Sequence, residues 1–126
     1  MKNKHVELLV ELLDMPLKGS ARRKRNRIQI FLLEKAKELE ENRKLLLEEN
    51  AIKDEKGELI AEDGKHQFTK EKKLIFEKEF DVLINEELKD FIPEEIYLKK
   101  VLNKIDKEQE FNTQKGILFD EILDEL

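Results

Sequence analysis

"AIKDEKGELIAEDGKHQFT", residues 51–69, decides the fold class of this 126-residue chain. Upstream of it, apolar residues recur every three or four positions. Inside it that period is lost and two turn signals follow in quick succession. Gly57 suits the left-handed position of a three-residue hairpin loop, Glu55-Lys56-Gly57. Asp63-Gly64 is a strong two-residue hairpin signal. A turn there pairs Ala61 with His66 and Leu59 with Phe68. Those four side chains then share one face, with Glu58, Glu62 and Lys65 on the other. The stretch reads as an antiparallel β-hairpin or meander over about 51–68. An isolated hairpin is marginal in water, so its apolar face should rest on a helix.

Helical patterns flank it on both sides. Val6, Leu9, Val10 and Leu13 repeat at helical spacing, with Glu7 and Glu11 opposite, which predicts a helix over about 3–13. Pro16 ends it, because proline lacks the N–H and disfavours helix at the residue before it. From Ser20 to Asn50 there is no Gly or Pro. Ile28, Phe31, Leu32, Ala36, Leu39 and Leu46 form a stripe there, and Ser20 is placed to cap the helix start. A helix to about Glu48 would be roughly 40–45 Å long. After the hairpin, Thr69 can cap a helix over about 70–87, whose apolar face is Phe76, Phe80, Leu83 and Ile84. "LKDFIP", residues 88–93, breaks it. Pro93 suits the first turn of a fourth helix, with Glu94 and Glu95 at its positive end. Leu98, Val101, Leu102 and Ile105 would face inward. Asn112 can cap a last helix carrying Leu118, Phe119, Ile122, Leu123 and Leu126. The whole predicts an α+β protein, mainly helical: one long central helix, the small hairpin and three to four shorter helices in a single domain, 1–126.

Composition supports that reading and narrows the function. Charged residues make up 44% of the chain, against 4 Gly and 2 Pro. Such a mixture favours helices with heavily solvated faces. The chain has no cysteine, which excludes disulfides, thiolate metal sites and a cysteine nucleophile. No apolar run approaches the ~18 residues of a membrane span. "HVELLVELL" is amphipathic and carries two glutamates, unlike the core of a signal peptide. A cytoplasmic protein is expected.

The net charge is −5, yet five of the seven residues from Ala21 to Arg27 are cationic. Cations in a helix's first turns oppose the macrodipole, by roughly 0.3–1 kcal/mol per exposed charge. Arg23 and Arg27, four apart, also repel each other. Something should offset this. On a helical projection centred on Ile28, Ala21, Lys24 and Arg25 fall near the buried stripe. Arg22, Arg23 and Asn26 fall opposite, and Arg27 on a flank. Arg22, Arg23, Lys24, Arg25 and Arg27 are therefore the candidate anion- or partner-binding residues. Three counterparts fit them: acids of the same chain such as Asp120, Glu121, Asp124 and Glu125; an acidic surface on a protein partner or second subunit; or nucleic acid. Arginines beside free N–H groups at a helix start do make an anion site. Against nucleic acid stand the negative net charge and the lack of an aromatic within the cluster for base stacking.

Signals for catalysis are sparse. The two histidines, His5 and His66, have no metal-like spacing to another ligand. "DEKGELIAEDG" matches a calcium loop only in outline, because Lys56 takes the third position and Gly57 the fourth where the pattern needs an oxygen ligand and then Gly at the sixth. There is no phosphate-cradling glycine loop and no G-x-S-x-G. Ser20 is the one serine, and capping explains it. Non-enzymatic action without cofactor, metal or small-molecule substrate is expected.

Three stretches together, "KGSARRKRNRIQIFLLE" (18–34), "KDEKGELIAEDGKHQF" (53–68) and "FEKEFDVLINEEL" (76–88), resemble an uncharacterised family of small proteins, a domain of unknown function, encoded by phages and prophages of Gram-positive bacteria. The resemblance covers roughly residues 15–105 and omits the first helix and the acidic C-terminus. It brings no site residues. It implies a viral setting inside the bacterial host cell and an accessory protein that acts by protein–protein interaction, in virion assembly or control of host machinery. Self-association is expected if the long helix's stripe is not wholly covered within the chain. A nucleic-acid-binding regulator using the basic helix start is the alternative.

Overall fold

A computed structural model describes residues 1–88 and 95–126. The chain is a mainly helical α+β protein. A short 3₁₀ turn, Asn3–His5, leads into α1 (Val6–Leu13), followed by α2 (Gly19–Asn50), β1 (Ala61–Glu62), β2 (Lys65–His66), α3 (Lys70–Asn85), α4 (Glu95–Glu108) and α5 (Thr113–Asp124). Pro93 and Glu94, expected to open the fourth helix, lie outside the described residues, as does the break expected in "LKDFIP" beyond Leu88. Two compact units form: Met1–Ala36 with Glu87–Leu126, and Lys37–Glu86.

In the first unit the core is built from α1 (Val6, Leu8, Leu9, Leu12, Leu13), the first half of α2 (Ile28, Leu32), α4 (Leu98, Leu102, Ile105) and α5 (Phe119, Ile122). The α4 face is the expected one, with Val101 half-buried beside it. On α1 the buried surface is wider than the expected stripe. Leu8 and Leu12 are buried and Val10 only half-buried. The reason lies in the segment itself: "VELLVELL" has polar residues only at Glu7 and Glu11, so apolar side chains surround most of the helix and several elements cover it. Asn112 caps α5, its Oδ1 accepting from the Lys115 N–H at 2.9 Å, which satisfies a backbone donor the helix cannot reach.

α2 begins at Gly19, so Ser20 lies inside the first turn rather than at the cap. Gly19 sits at φ 62°, a left-handed value that costs glycine least, and it carries the bend into the helix. The helix runs 32 residues, to Asn50, or about 48 Å at 1.5 Å per residue.

In the second unit the two hairpin signals both hold. Asp63 and Gly64 take φ 52° and 76°, the paired positive values of a type I′ turn, and Ala61 stands opposite His66. Gly57 is at φ 79° in the other loop. There Asp54 and Glu58 bond at 2.7 Å, N–H to carbonyl, and the Asp54 carboxylate accepts from the Lys56 and Glu58 amides. The Ile52 N–H joins the Gln67 carbonyl at 2.8 Å and the Ile60 N–H joins the Ile52 carbonyl at 3.0 Å, so the two turns close on one another. Leu59, expected opposite Phe68, is bridged to Lys53, and Ala61 is exposed. Thr69 caps α3, accepting from the Lys72 N–H at 3.3 Å. Phe68 rests on Phe76 at 5.1 Å and Phe76 on Phe80 at 5.8 Å, so the hairpin's apolar end does sit on a helix. This cover is thin: α3 has no fully buried residue.

Candidate functional site

The basic start of α2 divides in two. Arg25 turns inward. Its guanidinium donates to the Leu13 carbonyl at 3.2 Å and to the Met15 carbonyl, while Nε donates to Asn26 Oδ1 at 2.9 Å. One turn on, Gln29 Nε2 donates to the Val10 carbonyl at 2.9 Å. Val10 and Leu13 are among the last four residues of α1, whose carbonyls have no partner within their own helix and carry the negative end of its dipole. For Arg25 the counterpart is thus a helix C-terminus, not a carboxylate. The Tyr97 hydroxyl, from α4, donates to the Ala21 carbonyl at 3.1 Å and holds the same turn. Arg25→Ala is expected to lower stability by about 1–2 kcal/mol, by uncapping α1. Arg22→Ala should stay within ~0.5 kcal/mol, and urea denaturation of the two variants measures the difference.

Arg22, Arg23, Lys24 and Arg27 are exposed. Among the described residues, no ion pair joins Arg22, Arg23 or Arg27 to an acid. Two of the C-terminal acids offered as their counterparts are engaged elsewhere. Glu121 pairs with Lys4 at 3.2 Å and with His5 at 2.8 Å, and Glu125 with the Met1 amine.

His5 is a polar group within the core, 1% exposed. Its Nδ1 accepts the Lys2 N–H at 3.1 Å, so the ring proton lies on Nε2, which donates to Glu121 Oε2. The imidazole ties the N-terminal turn to α5. The hydrogen bond from His5, and then Lys4, holds the Glu121 carboxyl below the usual glutamate range. Nothing in the sequence pointed to this pair, because its partners are 116 residues apart.

The second unit carries an open apolar groove of about 660 Å³ between the last turns of α2 and α3. Leu45, Leu46, Ile75, Val82 and Leu83 line it, with Asn42, Glu49, Lys78, Glu79 and Glu86. Leu45 and Val82 are 59% and 57% exposed, and Ile75 is exposed beside them. Single exposed apolar residues are ordinary; a cluster of them on one concave face is not. Three glutamates against one lysine make its polar lining acidic. A smaller, more polar hollow in the first unit includes Glu11, Asp14 and Lys115, where Lys115 already pairs with Glu11 at 2.9 Å.

Among the described residues, no cluster of three or more His, Asp or Glu side chains is arranged to hold a metal ion, and no helix is long and apolar enough to cross a membrane. No family model, curated protein or solved structure matches the chain.

Proposed function

We propose that this protein acts by binding another protein, not by catalysis, and that the groove of the second unit receives an amphipathic helix with a basic flank. The single observation that carries this is the groove itself: exposed Leu45, Ile75 and Val82 gathered on one face beside Glu49, Glu79 and Glu86. Helix-in-groove recognition needs an apolar trough for residues at three- and four-residue steps, with charge at the edge to set orientation. The resemblance to phage and prophage proteins supports a place in virion assembly or control of host machinery, inside the bacterial host cell.

A fluorescent helical peptide with Leu at positions i, i+3, i+4 and i+7 and lysine flanks tests the reading. It should bind the full chain and lose about thirtyfold or more in affinity to the Leu45→Glu, Val82→Glu double variant, as expected for central apolar contacts. A peptide with glutamate flanks should bind more weakly. Equal binding by parent and variant would refute the groove's role.

Exposed Arg22, Arg23 and Arg27 favour a second reading, a nucleic-acid-binding regulator. Such binding is strongest at low salt. A gel shift there that Arg22→Glu with Arg23→Glu abolishes would raise this reading above the first; no shift would remove it.

A further inference from the structure

Resting on that reading of the groove, we propose that its occupant is a second copy of this chain, which inserts the exposed face at the start of its α2. Arg23, Arg27, Ile30 and Glu34 fall on one line of that helix, at steps of four, three and four residues. All four are exposed, Ile30 by 60%, and Leu33, three residues on from Ile30, is exposed by 51%. The face thus pairs a cationic end, Arg22, Arg23 and Arg27, with an apolar patch, Ile30 and Leu33. The groove offers the complement: Leu45, Ile75 and Val82 for the patch, Glu49, Glu79 and Glu86 for the arginines, and Lys78 for Glu34. Opposite charges across an interface steer encounter and fix register. The same contact would also bring negative charge against the cations crowded at a positive helix end.

The two surfaces differ, so the contact is heterologous. Such contacts propagate head to tail and close into a ring or extend into a filament, instead of stopping at a two-fold dimer. Sedimentation equilibrium of the full chain should show the mass rising with protein concentration beyond two copies, and falling back as salt screens the charges. Val82→Glu, which spoils the groove, and Ile30→Glu, which spoils the face, should each weaken association about thirtyfold or more. Both positions are exposed, and unchanged circular dichroism confirms that each variant folds. Mixed together, the two variants should form a one-to-one heterodimer, since one intact face meets one intact groove. If Ile30→Glu associates like the parent, or the mixture stays monomeric, the proposal falls. If the parent stays monomeric while the lysine-flanked peptide still binds the groove, the second-copy proposal falls and the protein-binding reading stands. If the peptide fails as well, both fall.

Discussion

Phe119→Ala is expected to cost about 3–5 kcal/mol, the largest single effect among the side chains considered. The ring is 1% exposed and is the bulkiest fully buried side chain described. It stacks on Phe111 at 4.8 Å, the residue just before the Asn112 cap, so one contact links α5 to the loop that leads into it. Truncation removes the ring's transfer free energy and leaves a hole that a packed core fills only in part. A domain of this size is stable by about 5–15 kcal/mol in total, so the loss is a large share. The chain's one tyrosine is Tyr97, in the first unit, and there is no tryptophan. Tyrosine fluorescence therefore follows that unit alone during urea denaturation, while circular dichroism follows both. The midpoint by fluorescence should fall sharply. Ile117→Ala, two residues away and 56% exposed, should stay within ~0.5 kcal/mol. A midpoint for Phe119→Ala no lower than that of Ile117→Ala would mean that α5 does not pack as described.

His5→Ala should cost about 2–4 kcal/mol, for two reasons that act together. It leaves a cavity where a ring is now 1% exposed. It also strips the Lys2 N–H of its acceptor and Glu121 of its buried donor. The pH dependence supplies a separate check. In the folded chain the Glu121 carboxyl titrates below its ordinary value of 4.5, because the ionised form accepts from His5 and Lys4. A carboxyl lowered on folding adds stability that is fully present above its unfolded value and is lost as pH falls through the folded one. Stability should therefore decline below about pH 4.5. Glu121→Gln should be less stable than the parent at neutral pH and flatter over that acid range. Parallel acid limbs in the two proteins would show that the carboxylate is not engaged.

The parts of this fold that were legible beforehand are those fixed by neighbours in the chain. A type I′ turn needs two positive φ values, and Asp63-Gly64 is among the few pairs that take them cheaply. Thr69 and Asn112 satisfy amides only three residues ahead, so spacing alone places the caps. Period placed the α4 face for the same reason. The projection also put Arg25 toward the stripe, and it is there. What it donates to was not legible, because those carbonyls belong to another helix. Ser20 was expected at the cap but is the second residue of the helix, because Gly19 could carry the bend.

From the sequence alone came the element order, the pairing of Ala61 with His66 and the crowding of cations at one helix start, since local backbone preference and side-chain period set all three. Tertiary structure alone decided that Arg25 caps α1, that His5 meets Glu121, and that Leu45 and Val82 stay open while Leu8 and Leu12 close. Those outcomes depend on contacts across long stretches of chain, and an apolar side chain reads the same in sequence whether or not another element covers it.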